Sequence, residues 1–376
     1  MTDAAAPNPG DLLRDRLRER GWTQQDLASV TGLSRQTIHF LINDKSNITP
    51  DVAVVLGAAL DVDPLDLLRL DSLRRLAGST AQPEEIVQRR EILEFAPVRE
   101  MQQRGWIGPA ESIDELQAEL KAFFRVADLQ DANDVTAAFR MNRNSETNSR
   151  AVRAWFWRAR QLTELVPAGR FRPELMPQLY RDLKVVAAFA KETHRVPAIL
   201  GKYGIRFAVV EHLKGTKLDG AAFWLDDKSP AVALSIRYDR VDAFWFTLMH
   251  ELKHIEHMDG QAIDEDLAGS ELATGDSKVA QIEDRANREA AATLVDPNEL
   301  ESFINRVSPL YSAERIIQFA HRLKIHPGII VGQLQNRKEL GYEAMRKFLV
   351  KVRDIATETA LTDGWGKSVP ALTSRR

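Results

Sequence analysis

Two histidines close a nearly unbroken apolar run, Ala243-Phe244-Trp245-Phe246-Thr247-Leu248-Met249-His250-Glu251-Leu252-Lys253-His254, and no other feature restricts the chain as much. A run of this kind has to be buried, and burying two imidazoles and a carboxylate is costly unless each finds a partner. On an α-helix, positions i and i+4 lie ~40° apart on one face, so both imidazoles can grip a single ion. Glu251 then projects beside them, where it can act as general base on water. The chain contains no cysteine, so any metal has to rest on histidine and carboxylate. With eight histidines in 376 residues, an accidental H-E-x-x-H is expected roughly once in a hundred such chains. The competing reading is a partly exposed helix end carrying two fortuitous histidines.

A third ligand is sought on the same face. His257, at i+7 from His250, lies more than about 10 Å along the axis at 1.5 Å per residue. That is too far for an ion held between His250 and His254, so His257 is expected to be solvated or to support a ligand from behind. The metzincin pattern, Gly three residues after the second histidine and His three later, is inverted at His257 and Gly260 and does not apply. Glu283 can complete a His-His-Glu site for Zn²⁺. Asn287, one turn on, can orient a ligand imidazole from the second shell. Ala286, Ala290, Ala291 and Ala292 would let this second helix come close to the first. Residues 259–282 would then form a loop over the site. The same pattern also fits an alanine-rich core helix with a solvated charged stripe.

The N-terminal segment carries a different signal. Thr23 can cap one short helix, Gly32 can end it, and Ser34 can cap the next, Arg35 to Asn43. Leu27, Ala28, Leu33 and Ile38 would make the small core of a helix-turn-helix. That geometry turns Ser34, Arg35, Gln36, Thr37 and His39 toward base edges in the major groove. Gln25 and Lys45 are placed for phosphates. Acidic and basic residues nearly balance between Asp11 and Arg75, so a DNA-binding face has to be segregated: Arg14, Arg18, Arg35 and Lys45 opposite Asp61, Asp63 and Asp66. A small helical bundle for protein contact is the alternative. The formal charge of the whole chain is −3, which gives no bulk pull toward nucleic acid or anionic membrane.

The rest of the pattern sets the organisation. A helix-turn-helix domain is expected over 11–77, after a loose tail at 1–10, with Pro50 and Pro64 each opening a further helix. Gly78 to Pro83 reads as a linker. Residues 84–200 read as a helical intermediate domain. In it Arg140, Arg143, Arg150, Arg153, Arg158 and Arg160 interleave with Trp155, Phe156 and Trp157. This is either a packing helix with a basic stripe or a surface for single-stranded nucleic acid. Strands are expected at Ile205–Val210, Ala221–Leu225 and Ala231–Tyr238 inside a metallopeptidase-like domain over 201–340, and a C-terminal helix with a loose tail over 341–376. The fold class is mostly α with a small mixed sheet (α+β), an all-α unit followed by a zincin-like one. No apolar window is long enough for a membrane span and the N-terminus lacks signal-peptide features, so a cytoplasmic protein without membrane contact is expected.

The segment from Tyr238 to His254, with Glu283-x-x-Ala286-Asn287-x-x-Ala290-Ala291 and the stretch Phe319 to Leu334, resembles the ImmA/IrrE family of zinc metallopeptidases over about residues 200–340. The resemblance implies that His250, His254 and Glu283 bind zinc and that Glu251 is the base. Lys253 stands where glycine is common in that family, and Glu289 where an aromatic is usual. The N-terminal stretch resembles Cro/repressor-type domains. Asn47-Ile48-Thr49-Pro50-Asp51-Val52-Ala53, with Leu56-Gly57 and Pro64, narrows this to the HigA antitoxin group. Fusions of these two types imply a double-stranded DNA operator and a protein substrate, either a repressor, an antitoxin or the chain itself. A toxin partner and a homodimer remain open. So does a rival reading, an antitoxin-like repressor whose second domain senses or docks a partner without cutting it. The strands could offer an edge to an extended substrate, and Tyr238, His212 and His326 are open as oxyanion donors.

Overall fold

The computed structural model describes residues 8–79, 83–129, 131, 149–259 and 275–369. Residues 1–7 of the expected tail, 80–82 of the linker, Arg140, Arg143, residues 260–274 of the loop over the site and 370–376 of the end lie outside the described residues. The chain divides into two compact units, Met1–Glu84 and Glu85–Arg376.

The first unit is all helical: α1 (Pro9–Arg20), α2 (Gln24–Thr31), α3 (Arg35–Ile42), α4 (Pro50–Leu60) and α5 (Pro64–Ala77). Local chemistry sets each boundary. Asn8, Thr23, Ser34, Thr49 and Asp63 each accept a backbone N–H of the first helical turn, which satisfies donors that a helix start leaves unpaired. At α2 this is a full capping box, because Asp26 reaches back to the Thr23 N–H. Gly32 ends α2 at φ 74°, a left-handed conformation that glycine adopts without steric cost. Leu13, Leu17, Leu27, Ile38, Leu41, Leu56, Leu60 and Leu67 fill the core. Leu33 packs against it half-buried.

The second unit opens with α6 (Pro83–Phe95), α7 (Val98–Gln103), α8 (Ile113–Phe124), α9 (Ser149–Glu164), α10 (Met176–Val186) and α11 (Val196–Lys202). Strands β1 (Arg206–Val210), β2 (Gly220–Trp224) and β3 (Pro230–Leu234) follow. Then come α12 (Val241–Glu256), α13 (Gly275–Leu294), α14 (Pro297–Val307), α15 (Ala313–Leu323), α16 (Pro327–Asn336), α17 (Arg353–Thr359) and β4 (Leu361–Asp363). The sheet order is β2-β3-β1-β4. β1 runs parallel to both β3 and β4, while β2 is antiparallel to β3. Expected mixed topology and mostly helical content are both present.

The sheet is covered on both faces, and alternation decides which side chain goes where. Phe207, Val209, Val232 and Leu234 join a core with α12. Ala208, Val210, Ala231 and Ala233 join a second core with Trp155, Phe156 and Ala159 of α9. The segment read as an intermediate domain therefore packs on the sheet of the same unit. Trp155 donates to Val210 O (2.8 Å), and Arg158 pairs with Asp363 (2.5 Å), both side chains buried. With Trp155, Phe156 and Trp157 all in the core, no aromatic face is left for bases to stack on, and the packing-helix reading of this stretch holds.

Two differences from the expected strands have local causes. β3 stops at Leu234 rather than Tyr238 because Ile236 sits at φ 48° and the Ser235 hydroxyl turns to Leu218 O. The short β4 lies in a stretch expected to be helix and loose end. Its neighbours hold it: Asp363 takes Arg158 and Trp106, and Glu211 accepts the Trp365 N–H.

Candidate functional site

In the first unit, α2 and α3 make the helix-turn-helix. Ser34 accepts the Thr37 N–H (3.0 Å) and its hydroxyl lies 2.8 Å from that of Thr37. Arg35, Gln36 and His39 are exposed on α3, with Thr37 half-buried between them. Gln25 at the start of α2 and Lys45 just after α3 are exposed as well. Asn43, not singled out in the sequence, steadies His39: its amide donates to His39 O (2.8 Å) and lies 3.3 Å from the ring. Arg14 is committed to Ile42 O and Asp11, and Arg18 to Asp15. Arg35 and Lys45 have no ion pair among the described residues, which leaves these two of the four expected cations available for phosphate.

In the second unit, His250 and His254 stand one turn apart on α12, and Glu283 reaches them from α13. His250 Nε2 and His254 Nε2 are 3.1 Å apart. Glu283 Oε2 is 3.3 Å from His250 Nε2, and Oε1 is 3.6 Å from His254 Nε2. Ligands at 2.0–2.1 Å from a tetrahedral Zn²⁺ are separated by about 3.3 Å, so the two Nε2 atoms and the Glu283 carboxylate stand at separations of the size such an ion's ligands have. One ligand atom from each residue lies within 4.8 Å of the other two, and both imidazoles are buried.

Glu251, on the same helix turn, is 2% exposed. The orienting carboxylate on the cluster is Asp259, whose Oδ2 sits 2.9 Å from His254 Nδ1. Arg285 holds the other oxygen of Asp259. A carboxylate on the far nitrogen fixes the ring so that Nε2 faces His250 and Glu283. This role was expected of Asn287, but Asn287 is exposed and makes no hydrogen bond to either imidazole. The only sequence signal for Asp259 is an acid five residues past His254, where the helix ends.

The electrostatics agree. Burial pulls the His254 imidazole down, but the Asp259 hydrogen bond and the charges of Glu251, Glu283 and Asp259 outweigh it, raising the pKa. Burial pushes the Asp259 carboxyl up, yet hydrogen bonds from His254 and Arg285 hold it below its ordinary value. Acidic groups thus face the His254 ring from both its sides, and Arg285 partly balances them through Asp259.

A second cluster lies at the end of the same helix. Glu256, His257 and Glu289 also bring ligand atoms within 4.8 Å of one another. Here the groups satisfy each other. His257 Nε2 is 2.7 Å from Glu289 Oε2, while Glu256 Oε2 accepts from Lys253 Nζ (2.7 Å) and from the Tyr180 hydroxyl (2.8 Å). Lys253 also lies over the Tyr180 ring at 4.1 Å. Lys253 and Glu289 are thus each paired within this cluster.

The three oxyanion candidates have other neighbours. Tyr238 is exposed under Arg237, His212 lies beside Trp365, and His326 caps α16 by accepting the Gly328 N–H. None is hydrogen-bonded to the His-His-Glu cluster. The edge strand β2 does approach it: a Cβ on Gly220 would stand 3.0 Å from Thr247 Cγ2, one turn before His250.

Residues 13–67 match a family model described as HTH_3: Helix-turn-helix. The first unit is a helix-turn-helix DNA-binding domain. No curated protein matches the chain. Among the described residues, no helix is long and apolar enough to cross a membrane.

Proposed function

We propose that the chain is a sequence-specific DNA-binding transcriptional regulator whose second unit is a zinc-dependent endopeptidase acting on a regulatory protein. The observation that carries the peptidase reading is the closeness of His250, His254 and Glu283: their Nε2 atoms lie 3.1 Å apart, and the two Glu283 oxygens lie 3.3 Å from His250 Nε2 and 3.6 Å from His254 Nε2. Zinc bound there supplies Lewis acidity toward a peptide carbonyl. The chain's own groups do the rest. Glu251 takes a proton from the attacking water as its oxygen bonds the carbonyl carbon. It then delivers that proton to the amide nitrogen as the C–N bond breaks. Asp259 and Arg285 keep the His254 ring fixed throughout. Among the described residues β2 stands at the end of the sheet, a place where an extended polypeptide could add as a further strand.

The resemblance to ImmA/IrrE peptidases and HigA-type regulators points to a repressor, an antitoxin or the chain itself as substrate. Double-stranded operator DNA is the ligand of the first unit, read by Arg35, Gln36, Thr37 and His39. The rival reading, a non-catalytic sensing or docking module, makes a different forecast for one variant. Purified parent chain should carry about one zinc per chain and His254→Ala should lose it; no zinc in the parent sinks the metal centre. Glu251→Gln should keep zinc and DNA binding yet lose about 10²–10⁴-fold in cleavage, because an amide cannot accept the proton. Regulation by Glu251→Gln equal to that by the parent chain would favour the docking module.

A further inference from the structure

In the first unit, helix α3 ends on a turn that α1 and α5 hold from outside. Asn43 is the C-cap and Asp44 sits at φ 59°. The Asp44 N–H returns to Leu41 O (3.2 Å) and the Lys45 N–H to Phe40 O (2.8 Å). This is a left-handed helix stop, where glycine is the default because it carries no Cβ. Aspartate suits the backbone less well, but its side chain makes ties that glycine could not. Asp44 Oδ1 accepts the Gly10 N–H at the start of α1 (3.3 Å) and lies 3.9 Å from Arg74 Nε on α5. Arg74 spans the turn: Nη1 donates to Asp44 O (2.8 Å) and Nη2 to Asn47 Oδ1 (3.3 Å). The same Nη2 donates to Asp71 Oδ1 (2.7 Å), and Asp71 is 1% exposed. Arg75 Nε lies 3.2 Å from the other Asp71 oxygen. From α1, Arg14 donates to Ile42 O (2.8 Å), and Gly10 comes so near that a Cβ on it would strike the same carbonyl. Carbonyls at a helix end have no partner within the helix; here two arginines from other helices reach that end.

We propose that Arg74, held by buried Asp71, is a positioning residue for DNA binding: its guanidinium fixes the turn from Asp44 to Asn47 so that Lys45 meets a phosphate of the duplex. This rests on the reading of Lys45 as a phosphate contact and adds the residues that aim it. The turn directly follows the second helix of the motif, so it stands beside the groove that α3 enters. Arg74 grips the residue just before Lys45 and the one two places after it. Lys45 itself is exposed. A long side chain loses rotamer freedom when it holds a phosphate, and a backbone already fixed beneath it spares the cost of ordering the turn as well. Arg74 is a poor phosphate contact in its own right. Its side chain is 24% exposed, and the carboxylate of Asp71 balances its charge. Both terminal nitrogens are already donating within the unit. Lysine could not take its place, because an ammonium is a point donor, whereas the planar fork reaches an acid and two acceptors on the turn at once.

The test measures binding of the full-length chain to a fluorescent duplex, selected on the parent chain from a random-sequence pool. Anisotropy is read across several salt concentrations, with thermal melting of each variant alongside. Lys45→Ala should weaken binding and lower the salt slope by about one phosphate's share. Arg74→Gln should weaken it about threefold to tenfold, the range of one or two lost hydrogen bonds. In the Lys45→Ala background the same change should cost less than about twofold and leave the slope alone, because residues that act through one another are not additive. Arg74→Lys keeps the charge beside Asp71 and should recover little of the loss; it serves if Arg74→Gln does not fold. Parent affinity in folded Arg74→Gln or in Arg74→Lys overturns the positioning role and leaves Lys45 as a contact. An undiminished cost in the Lys45→Ala background overturns it too, and a further drop in slope would then make Arg74 a phosphate contact itself. If Lys45→Ala binds like the parent, the phosphate reading of Lys45 fails, and the aiming by Arg74 falls with it.

Discussion

The helix-turn-helix and the His-His-Glu cluster are assembled by opposite means. In the first unit almost every determinant is a neighbour in sequence. Thr23 caps with Asp26 three residues away, Ser34 with Thr37, and Gly32 turns the chain between them. In the second unit the cluster draws His254 and Glu283 from two helices and its support from Asp259 and Arg285. The sheet beneath is closed by Asp363 on Arg158, residues far apart in the chain. A DNA-reading surface needs only an oriented exposed helix, which local rules can build. A buried ion site needs charges brought together in low dielectric, where an error in any partner leaves an expensive unpaired group. Changes to partners in the second unit should therefore cost more than changes to local signals in the first.

Outside the ligands and the base, the largest effect in the second unit is expected at Asp259. Asp259→Ala removes the carboxylate that fixes His254 and leaves Arg285 without its partner in the cluster. Zinc affinity, measured by competition with a chelator, should fall about 10–100-fold. Asp259→Asn keeps an acceptor oxygen and should fall less. Equal affinity in parent and Asp259→Ala would mean the ring is held by packing alone, and the contrast between the two units would weaken. By the same reasoning His257→Ala should leave zinc affinity unchanged, since His257 is spent on Glu289.

An intermediate effect belongs to the DNA surface. Gln36→Ala should shift sequence preference at the bases it faces, at a cost of about 1–3 kcal/mol for the preferred site. Lys45→Ala should weaken all sites alike and flatten the salt dependence by about one phosphate's share. A gel-shift series across several salt concentrations separates the two. Loss of affinity without loss of preference at Gln36 would place it on the backbone rather than on bases.

The sequence revealed the two units unequally. In the first, Thr23, Gly32, Ser34, Pro50 and Pro64 mark helix ends by their own chemistry, and four of the five helices, α2 to α5, begin or end at or next to them. In the second, His250, His254 and Glu283 could be placed together because helical spacing and an apolar run reach that far. Asp259 could not, since an aspartate past a helix end looks like any loop residue until the fold turns it back. Asn287 had the right spacing but faces solvent, because Ala286 and Ala290 occupy the buried side of α13. β4 escaped for a related reason: three residues carry no periodicity, and what makes them a strand is the exposed edge of β1 beside them.

The smallest effect sharpens the comparison most cleanly. Thr23→Ala deletes one side-chain acceptor, and Asp26 alone then remains of the capping box at the start of α2. Caps of this kind contribute about 1 kcal/mol. The Asp26 carboxyl is held below its ordinary range by the Thr23 backbone and hydroxyl, so part of that pairing survives through the backbone N–H and the loss should stay modest. Hydrogen exchange on the full-length chain reads it locally: amides of α2 and α3 should exchange about fivefold faster, the factor that corresponds to about 1 kcal/mol. Amides of α12 and zinc affinity should not change, because nothing in the cluster leans on a cap. Operator affinity should fall by no more than that same factor. If α12 also loses protection, the two units share one cooperative transition, and the division into a locally specified reader and a distributed His-His-Glu cluster is wrong.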